Sequence, residues 1–286
     1  MEVDPSGKGL AINSGKIPIL LSLKRIQELK PHEETVATDL RGIVTTLERD
    51  PILRHPIIAD SATGAVLDGT HRLAALSQLG CKTIPTALID YQSSPLVKVD
   101  RWFRVITGEK LGAFMKRVKD RTTPLSIPAS QSDPSLVSRL SYATLCNQSE
   151  CFTFGSGIQG ALAACRNAFE IEEIARNNHL KISYVDNDDL AELSKNAFLM
   201  STIRVEKSEV VESCVSHKLF PPKSTRHLIP SRPLGLGVPL AMLKNKNHAE
   251  AESAFVQHIR SKHIRQLPEG SKVGSRRYLE EVFLFE

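Results

Sequence analysis

Five consecutive residues combine a carboxylate, a glycine and two basic groups, and they are Asp68-Gly69-Thr70-His71-Arg72. They follow a short apolar run and precede one that is rich in alanine and leucine. A strand, a glycine turn and a helix start in that order direct free N–H groups and the positive end of the helix dipole toward one point. We therefore expect an anion site to which the two basic side chains add charge. The alternative is a strand–turn–helix corner whose basic side chains lie in solvent.

A second polar stretch carries cations and hydroxyls between prolines at residues 220–234, namely Lys223, Ser224, Thr225, Arg226 and His227. Ordering such a loop costs conformational entropy, which is most easily offset when something binds there. Cations and hydroxyls suit the oxygens of phosphate and carboxylate groups. The stretch indicates an anion-binding loop, and a solvated basic loop is the alternative.

Two adjacent carboxylates, Glu33 and Glu34, follow His32. A positioned carboxylate can accept the proton of a hydroxyl nucleophile, although acidic residues also occur simply in the first turn of a helix. Two interpretations are also open for Asp68. Its carboxylate either stabilises its own turn, or it binds Mg²⁺ or a substrate hydroxyl. Trp102 is the only tryptophan, and it lies either against a ligand or in the core.

Together the three motifs resemble those of the free L-serine kinases, a branch of the ParB/sulfiredoxin superfamily. Residues 68–72 match the Asp-Gly-x-His-Arg core of that branch, whereas sulfiredoxins carry Gly-Cys-His-Arg and partition proteins carry Gly-Glu-Arg-Arg. Residues 221–227 are similar to the family's Pro-Pro-Lys-Thr-Thr-Arg-His, with Ser224 in place of a threonine. Residues 29–33 resemble its Leu-x-x-His-Glu segment. Because the three motifs lie far apart in the chain, their joint occurrence is more specific than any one motif alone.

The resemblance implies transfer of a phosphoryl group from ATP or ADP to free L-serine, giving O-phospho-L-serine, with Mg²⁺ as cofactor. We favour ATP as the donor. It also implies Glu33 as general base and Asp68 as a catalytic residue and Mg²⁺ ligand. It implies two binding sets, a phosphate set of Gly69, Thr70, His71 and Arg72, and a substrate set of Lys223, Ser224, Thr225, Arg226, His227 and Trp102. The product would serve cysteine synthesis or a siderophore precursor.

The elements that must position these residues predict an α+β (mixed α/β) fold. Apolar positions at helical spacing predict a helix over residues 36–47, and another helix follows Thr70, which suits its N-cap. Short apolar runs predict strands, at residues 17–23, 56–60, 65–67, 84–91, 150–154 and 181–185. Two further helices are predicted over residues 158–178 and 208–217.

The expected domains are a flexible tail (1–15), a ParB/sulfiredoxin-like nucleotide-binding domain (16–115), a linker or insertion (116–150) and a C-terminal substrate-binding domain (151–286). The resemblance implies that the smaller α/β C-terminal domain forms a cleft with the first domain. The linker is assigned because residues 120–148 are rich in Ser, Thr, Pro and Gln and poor in large apolar groups.

Bulk composition is that of a globular protein, with 41% hydrophobic and 24% charged residues among 286. No apolar run approaches the roughly 20 residues of a membrane span, and the start lacks a signal-peptide pattern. Five cysteines without paired close spacing predict reduced thiols and a cytoplasmic protein. The net charge of +5 fits a phosphate-bearing ligand and is poor evidence for nucleic acid.

Two rival functions remain open at this point. A ParB-like DNA-binding regulator would need a helix-turn-helix and a concentrated basic surface, and we find neither in the sequence. A sensor that binds a nucleotide or amino acid without turnover is disfavoured by the intact set of Glu33, Asp68, His71 and Arg72. Turnover is the observation that separates these alternatives.

Overall fold

The computed structural model describes residues 2–3, 9–13, 15–121, 124–128, 141–155, 160–186, 188, 193–194 and 196–286. The chain folds into two compact units, both of them discontinuous in sequence. Unit 1 comprises Met1–Lys98, Val210–His217 and His227–Glu286, and unit 2 comprises Val99–Glu209 and Lys218–Arg226.

The helices are α1 (Ala37–Arg49), α2 (Thr70–Gln78), α3 (Leu111–Arg121), α4 (Ala161–Asn177), α5 (Lys207–Ser216), α6 (Leu240–Leu243) and α7 (His248–Arg260). A 3-10 turn spans Ile26–Glu28. The strands of the first part are β1 (Glu2–Val3), β2 (Leu10–Ile12), β3 (Ile19–Arg25), β4 (Lys30–Pro31), β5 (Ile52–Leu53), β6 (Ile57–Asp60), β7 (Ala65–Asp68), β8 (Thr83–Ile89), β9 (Lys98–Asp100), β10 (Phe103–Thr107) and β11 (Pro124–Pro128). Those that follow are β12 (Ala143–Cys146), β13 (Glu150–Phe154), β14 (Lys181–Val185), β15 (Ala197–Thr202), β16 (Arg226–Leu228), β17 (Ser231–Leu234), β18 (Val238–Pro239), β19 (Ile264–Leu267), β20 (Lys272–Val273), β21 (Arg276–Arg277) and β22 (Glu281–Phe285).

Unit 1 is built on a seven-stranded mixed sheet in the order β1-β2-β3-β8-β6-β7-β4. Every residue of β8 is buried, because this apolar strand lies inside the sheet, antiparallel to β3 and parallel to β6. Next to β6 runs β7, which leads directly into α2. The sheet therefore delivers Asp68 and the glycine turn to one place at its edge.

Residues 227–286 complete unit 1. Strand β18 pairs with β5, and the Leu23 N–H donates to Glu252 on α7 at 3.1 Å. A second, three-stranded sheet has the order β17-β22-β19. These residues therefore belong with the N-terminal sheet, whereas the sequence assigned them to a C-terminal domain. The sequence could not reveal this because the pairings join positions far apart in the chain.

Unit 2 contains a six-stranded antiparallel sheet in the order β11-β13-β12-β15-β10-β14. Its core includes the buried side chains Ile106, Leu145, Phe154 and Met200. Helix α4 packs on this sheet and carries the buried Glu172 on its inner face.

Several sequence predictions differ from the structure. Residues 10–12, expected in a flexible tail, form β2 instead, because Leu10 and Ile12 are buried against β3. The expected linker 116–150 contains the end of α3 and the strands β11 and β12, while residues 122–123 and 129–140 lie outside the described ranges. The boundaries of functional domains stay a prediction.

Local patterns were predicted more accurately. The structure confirms α1 and gives β13 and β14 the predicted bounds, and the mixed α/β fold class is confirmed. The cysteine prediction is wrong for one pair, since Cys146 and Cys151 form a disulfide across the β12–β13 hairpin. None of the helices in the described ranges has both the length and the apolar character that crossing a membrane requires.

Candidate active site

The turn between β7 and α2 depends on Gly69. Its φ of 102° lies in the left-handed region, and Gly69 rather than Thr70 is the N-cap of α2, which corrects the sequence prediction. A Cβ at this position would overlap the Ile57 side chain and approach Arg72 Nη2 at 3.0 Å. The turn is tight because β6 lies directly beneath it, so only glycine fits.

The carboxylate of Asp68 lies between two guanidinium groups. Arg72 Nη2 donates to Asp68 Oδ2 at 3.0 Å, and Arg232 Nη1 donates to the same oxygen. Arg232 also donates from Nε to Glu280 at 2.7 Å. Burial opposes ionisation of Asp68, but the two guanidinium groups outweigh it and hold the pKa of this carboxyl well below its usual range. Asp68 is therefore an ionised, oriented acceptor at neutral pH.

Arg72 has structural partners as well. Its Nη1 donates to the carbonyl oxygens of Pro56 and, at 3.2 Å, His55. These bonds fasten the start of α2 to the loop that precedes β6. The ring of His55 accepts the Gly235 N–H at Nδ1 (3.1 Å), and its pKa is lowered, chiefly by burial and then by nearby arginines. The role of Arg72 toward phosphate stays a prediction.

His71 connects the glycine turn to the segment that carries Glu33. The Val36 N–H donates to His71 Nε2 at 2.8 Å, which makes this nitrogen the acceptor of a neutral ring. Just before Val36, Glu33 Oε1 lies 3.7 Å from His32 Nε2. The nearly buried His32 ring donates from Nδ1 to the Val66 carbonyl at 2.7 Å. Both the predicted base and the predicted phosphate turn are thus attached to β7.

His227 joins the same group in unit 1. Its ring meets that of His32 edge-on, with centroids 5.1 Å apart. The hydroxyl of Tyr91 lies 3.1 Å from His227 Nε2. Tyr91 is fully buried, and burial raises the pKa of its phenol above the usual range, so the hydroxyl stays protonated. The sequence gives no signal for a role of Tyr91, because a single tyrosine at the end of a predicted strand belongs to no motif.

Two cationic side chains of unit 2 lie near the indole ring of Trp102. Lys223 Nζ lies 5.7 Å and the Arg226 guanidinium carbon 5.3 Å from the centre of its indole ring, within the range of cation–π attraction. Arg226 also forms an ion pair with Asp186 at 2.9 Å. Lys223 has a φ of 63°, which is uncommon for a residue with a side chain. We call Trp102, Lys223 and Arg226 the cationic cluster.

Ser224 and Thr225, between the two cations, are buried. The Ser224 hydroxyl donates to the Pro221 carbonyl at 2.8 Å and so braces the turn. The structure therefore brings together Lys223 and Arg226 from the predicted substrate set, with Trp102 beside them. The chain then passes from unit 2 to unit 1 between Arg226 and His227.

No family model matches the chain. An ATP-dependent L-serine kinase of Staphylothermus marinus is 25% identical over 79% of this chain and 91% of the relative. An ADP-dependent L-serine kinase of Thermococcus kodakarensis is 24% identical over 76% of this chain and 90% of the relative. The chain is thus similar to L-serine kinases over most of its length. A solved free serine kinase in complex with AMP has the same fold, with a TM-score of 0.64 and 22% identity over 78% of this chain and 93% of that one.

The similarity to these L-serine kinases confirms the resemblance seen in the sequence motifs. The match extends over most of each relative, so it is not limited to the short motifs. The roles of individual residues are not decided by it, and the two relatives differ in their named nucleotide.

Proposed function

We propose that the protein phosphorylates the hydroxyl group of free L-serine, with ATP or ADP as donor, to give O-phospho-L-serine. The observation that carries this proposal is the hydrogen bond from the Val36 N–H to His71 Nε2. It fastens the segment of Glu33 to the glycine turn at the start of α2. A carboxylate base and an anion-binding helix start are thereby held in one unit, as phosphoryl transfer to a hydroxyl requires.

Glu33 is the base in the proposed reaction. Its carboxylate takes the proton of the serine hydroxyl while the hydroxyl oxygen forms a bond to the terminal phosphorus of the nucleotide. The bond from that phosphorus to the bridging oxygen breaks, and its electron pair leaves with the nucleotide. ATP would then yield ADP, and ADP would yield AMP. We still favour ATP, although the relatives include an enzyme of each kind.

The phosphates would bind at the start of α2. The N–H groups after Gly69 and the dipole of this nine-residue helix supply positive potential there. Thr70, His71 and Arg72 stand in its first turn and complete the proposed phosphate set. Asp68 lies alongside, and its negative charge is balanced by Arg72 and Arg232.

Mg²⁺ would fit at Asp68 only together with the nucleotide. Within the described residues, no group of three or more His, Cys, Asp or Glu side chains could hold a metal by itself. Mg²⁺ is usually bound by one or two carboxylates together with phosphate oxygens and water, and an ionised Asp68 meets that requirement. When bound, Mg²⁺ would neutralise charge on the phosphates.

The amino-acid acceptor would bind at the cationic cluster. Lys223 and Arg226 supply positive charge for its carboxylate. The face of the Trp102 ring has a negative potential, which attracts these two cations. His227, whose Nε2 lies 3.1 Å from the Tyr91 hydroxyl, belongs to the same unit as Glu33 and remains part of the proposed substrate set. Ser224 braces the turn that presents the two cations, and Thr225 is buried beside it.

The decisive experiment is phosphorus NMR of the purified protein with Mg²⁺, L-serine and either ATP or ADP. We expect a phosphoserine signal with one nucleotide, and we expect Glu33→Ala to reduce its rate of appearance by about 10²–10⁴-fold. Absence of phosphoserine with both nucleotides would overturn the proposal. An electrophoretic shift of duplex DNA that survives about 0.2 M salt would instead favour the ParB-like alternative, because non-specific phosphate binding fades there.

A further inference from the structure

The geometry points to Arg104 as a positioning residue, which holds Trp102 and Lys223 so that the cationic cluster can receive the carboxylate of the amino-acid acceptor. This inference rests on the proposed function and deepens it. Arg104 belongs to β10, in the middle part of the chain, where the sequence motifs gave no signal. Its side chain is only 3% exposed, so it is not a solvated surface charge.

One guanidinium group binds the main chain at two of the three residues of the cationic cluster. Arg104 Nη1 donates to the Trp102 carbonyl at 2.6 Å, and Nη2 donates to the Lys223 carbonyl at 2.9 Å. The second bond spans 119 positions in sequence. It also acts on the residue whose φ of 63° is uncommon for a lysine. Such a backbone conformation persists where its surroundings determine it, and Arg104 supplies that restraint.

The charge of Arg104 is balanced by Glu172 on α4, which is fully buried. Glu172 Oε1 accepts from Arg104 Nε at 2.7 Å. Its Oε2 accepts from Arg176 Nη2 at 2.7 Å and from the Tyr184 hydroxyl at 2.8 Å. Burial and the charge of Glu172 raise the pKa of Tyr184 to about 12, so the phenol remains a donor. Both carboxylate oxygens are therefore bonded, and the guanidinium plane of Arg104 is fixed.

Only arginine can make this set of contacts. Its planar fork presents donors in three directions, and here they point to Glu172, Trp102 and Lys223. A lysine would keep the positive charge but has a single nitrogen, which cannot reach all three acceptors. Arg104→Lys therefore removes the positioning while it retains the charge. The two cations of the cluster would then lose their fixed distance from the indole ring.

The test compares Arg104→Lys with Arg166→Lys. Arg166 is a matched control, because it also donates to a carbonyl of the same segment, that of Leu219 at 2.9 Å, but it is exposed. We expect Arg104→Lys to raise the KM for L-serine about tenfold or more, with the KM for nucleotide changed less than about threefold. For Arg166→Lys we expect the KM for L-serine and the KM for nucleotide to stay within about twofold of wild type. An unchanged KM for L-serine in Arg104→Lys would overturn the inference.

A second readout does not depend on turnover. Trp102 is the only tryptophan, so tryptophan emission reports on the cationic cluster. We expect Arg104→Lys to shift the emission and to increase acrylamide quenching, and Arg166→Lys to leave both unchanged. A wild type without phosphoserine production would refute the proposed function, whereas unaltered fluorescence in Arg104→Lys would refute the positioning role.

A milder variant covers the case in which Arg104→Lys does not fold, as judged by circular dichroism. Tyr184→Phe removes one hydrogen bond to Glu172 and leaves Arg104 in place. We expect it to raise the KM for L-serine by about two- to fivefold and to increase quenching of Trp102, with the KM for nucleotide unchanged. A wild-type KM for L-serine together with wild-type quenching of Trp102 in this variant would count against the inference.

Discussion

Arg232 donates a hydrogen bond to the carboxylate of Asp68 across 164 positions of sequence. Arg232 also donates to Glu280, so one guanidinium group joins the end of β7 to the residue before β22. The second guanidinium on Asp68 comes from Arg72, four residues ahead. A local motif is thus completed by a distant arginine, and both positive charges act on the proposed catalytic carboxylate.

Replacing Arg232 should destabilise the protein. Arg232→Gln leaves Glu280 without this partner and Asp68 with one guanidinium fewer, and Arg232 is largely buried. Because about a third of the Asp68 side chain is exposed, we expect a loss of about 1–3 kcal/mol in the free energy of unfolding, measured by urea titration. The exposed pair Arg265–Glu286 provides the control, and Arg265→Gln should cost under about 0.5 kcal/mol. Equal effects of the two substitutions would argue against a special role of Arg232.

The free energy of unfolding should depend on pH through Asp68. The folded-state pKa of this carboxyl is lower than its ordinary value of 3.8, so ionisation stabilises the folded state above that pH. The contribution is complete at neutral pH and is lost as pH falls through the folded-state pKa. We expect the urea midpoint of wild type to fall between about pH 5 and pH 2 more steeply than that of Asp68→Asn. Parallel curves would show that Asp68 does not contribute.

Of the two adjacent glutamates, only Glu33 should be essential for turnover. Glu33→Gln keeps the size of the side chain but removes the carboxylate that would accept the serine proton, so kcat should fall about 10²–10⁴-fold. Glu34→Gln is the matched control and should change kcat less than about threefold. Initial rates at saturating serine and nucleotide measure the difference. A larger loss in Glu34→Gln would move the base to that residue.

Gly69 and Gly80 should respond differently to alanine. Both have positive φ, 102° and 76°, but a Cβ at Gly69 would collide with Ile57, whereas a Cβ at Gly80 meets no atom within 4 Å. Gly80→Ala should therefore cost about 1 kcal/mol of backbone strain, and Gly69→Ala about 2–4 kcal/mol. Thermal melts together with nucleotide titrations would measure this, and we expect only Gly69→Ala to weaken nucleotide binding. Similar losses in both variants would mean that φ alone matters.

The part of the candidate site that the sequence predicts is the part encoded by neighbouring residues. The turn at Asp68 and Gly69 follows from an apolar run, a glycine and a helix-forming run in direct succession. The error at Thr70 has a simple cause, since a glycine with positive φ can occupy the N-cap itself and moves the helix start by one residue.

The supporting contacts could not be predicted in this way. Tyr91 reaches His227 across 136 positions, and Arg104 reaches Lys223 across 119. No periodicity or spacing encodes such pairs, because the strands and turns that bring them together are set by tertiary packing. The sequence does not indicate the division of residues 151–286 between two units for the same reason.

The discontinuity of unit 1 has a consequence for how the protein is made. Residues 1–98 leave the ribosome before residues 227–286, which pair with β5 and bond to Leu23. At ordinary translation speeds the delay between them is roughly 10–40 s. During that interval the N-terminal sheet lacks part of its packing, while residues 99–209 can already form most of their own sheet. Vectorial synthesis therefore leaves unit 1 to be completed last, and expressing the chain as two separate halves would interrupt both units.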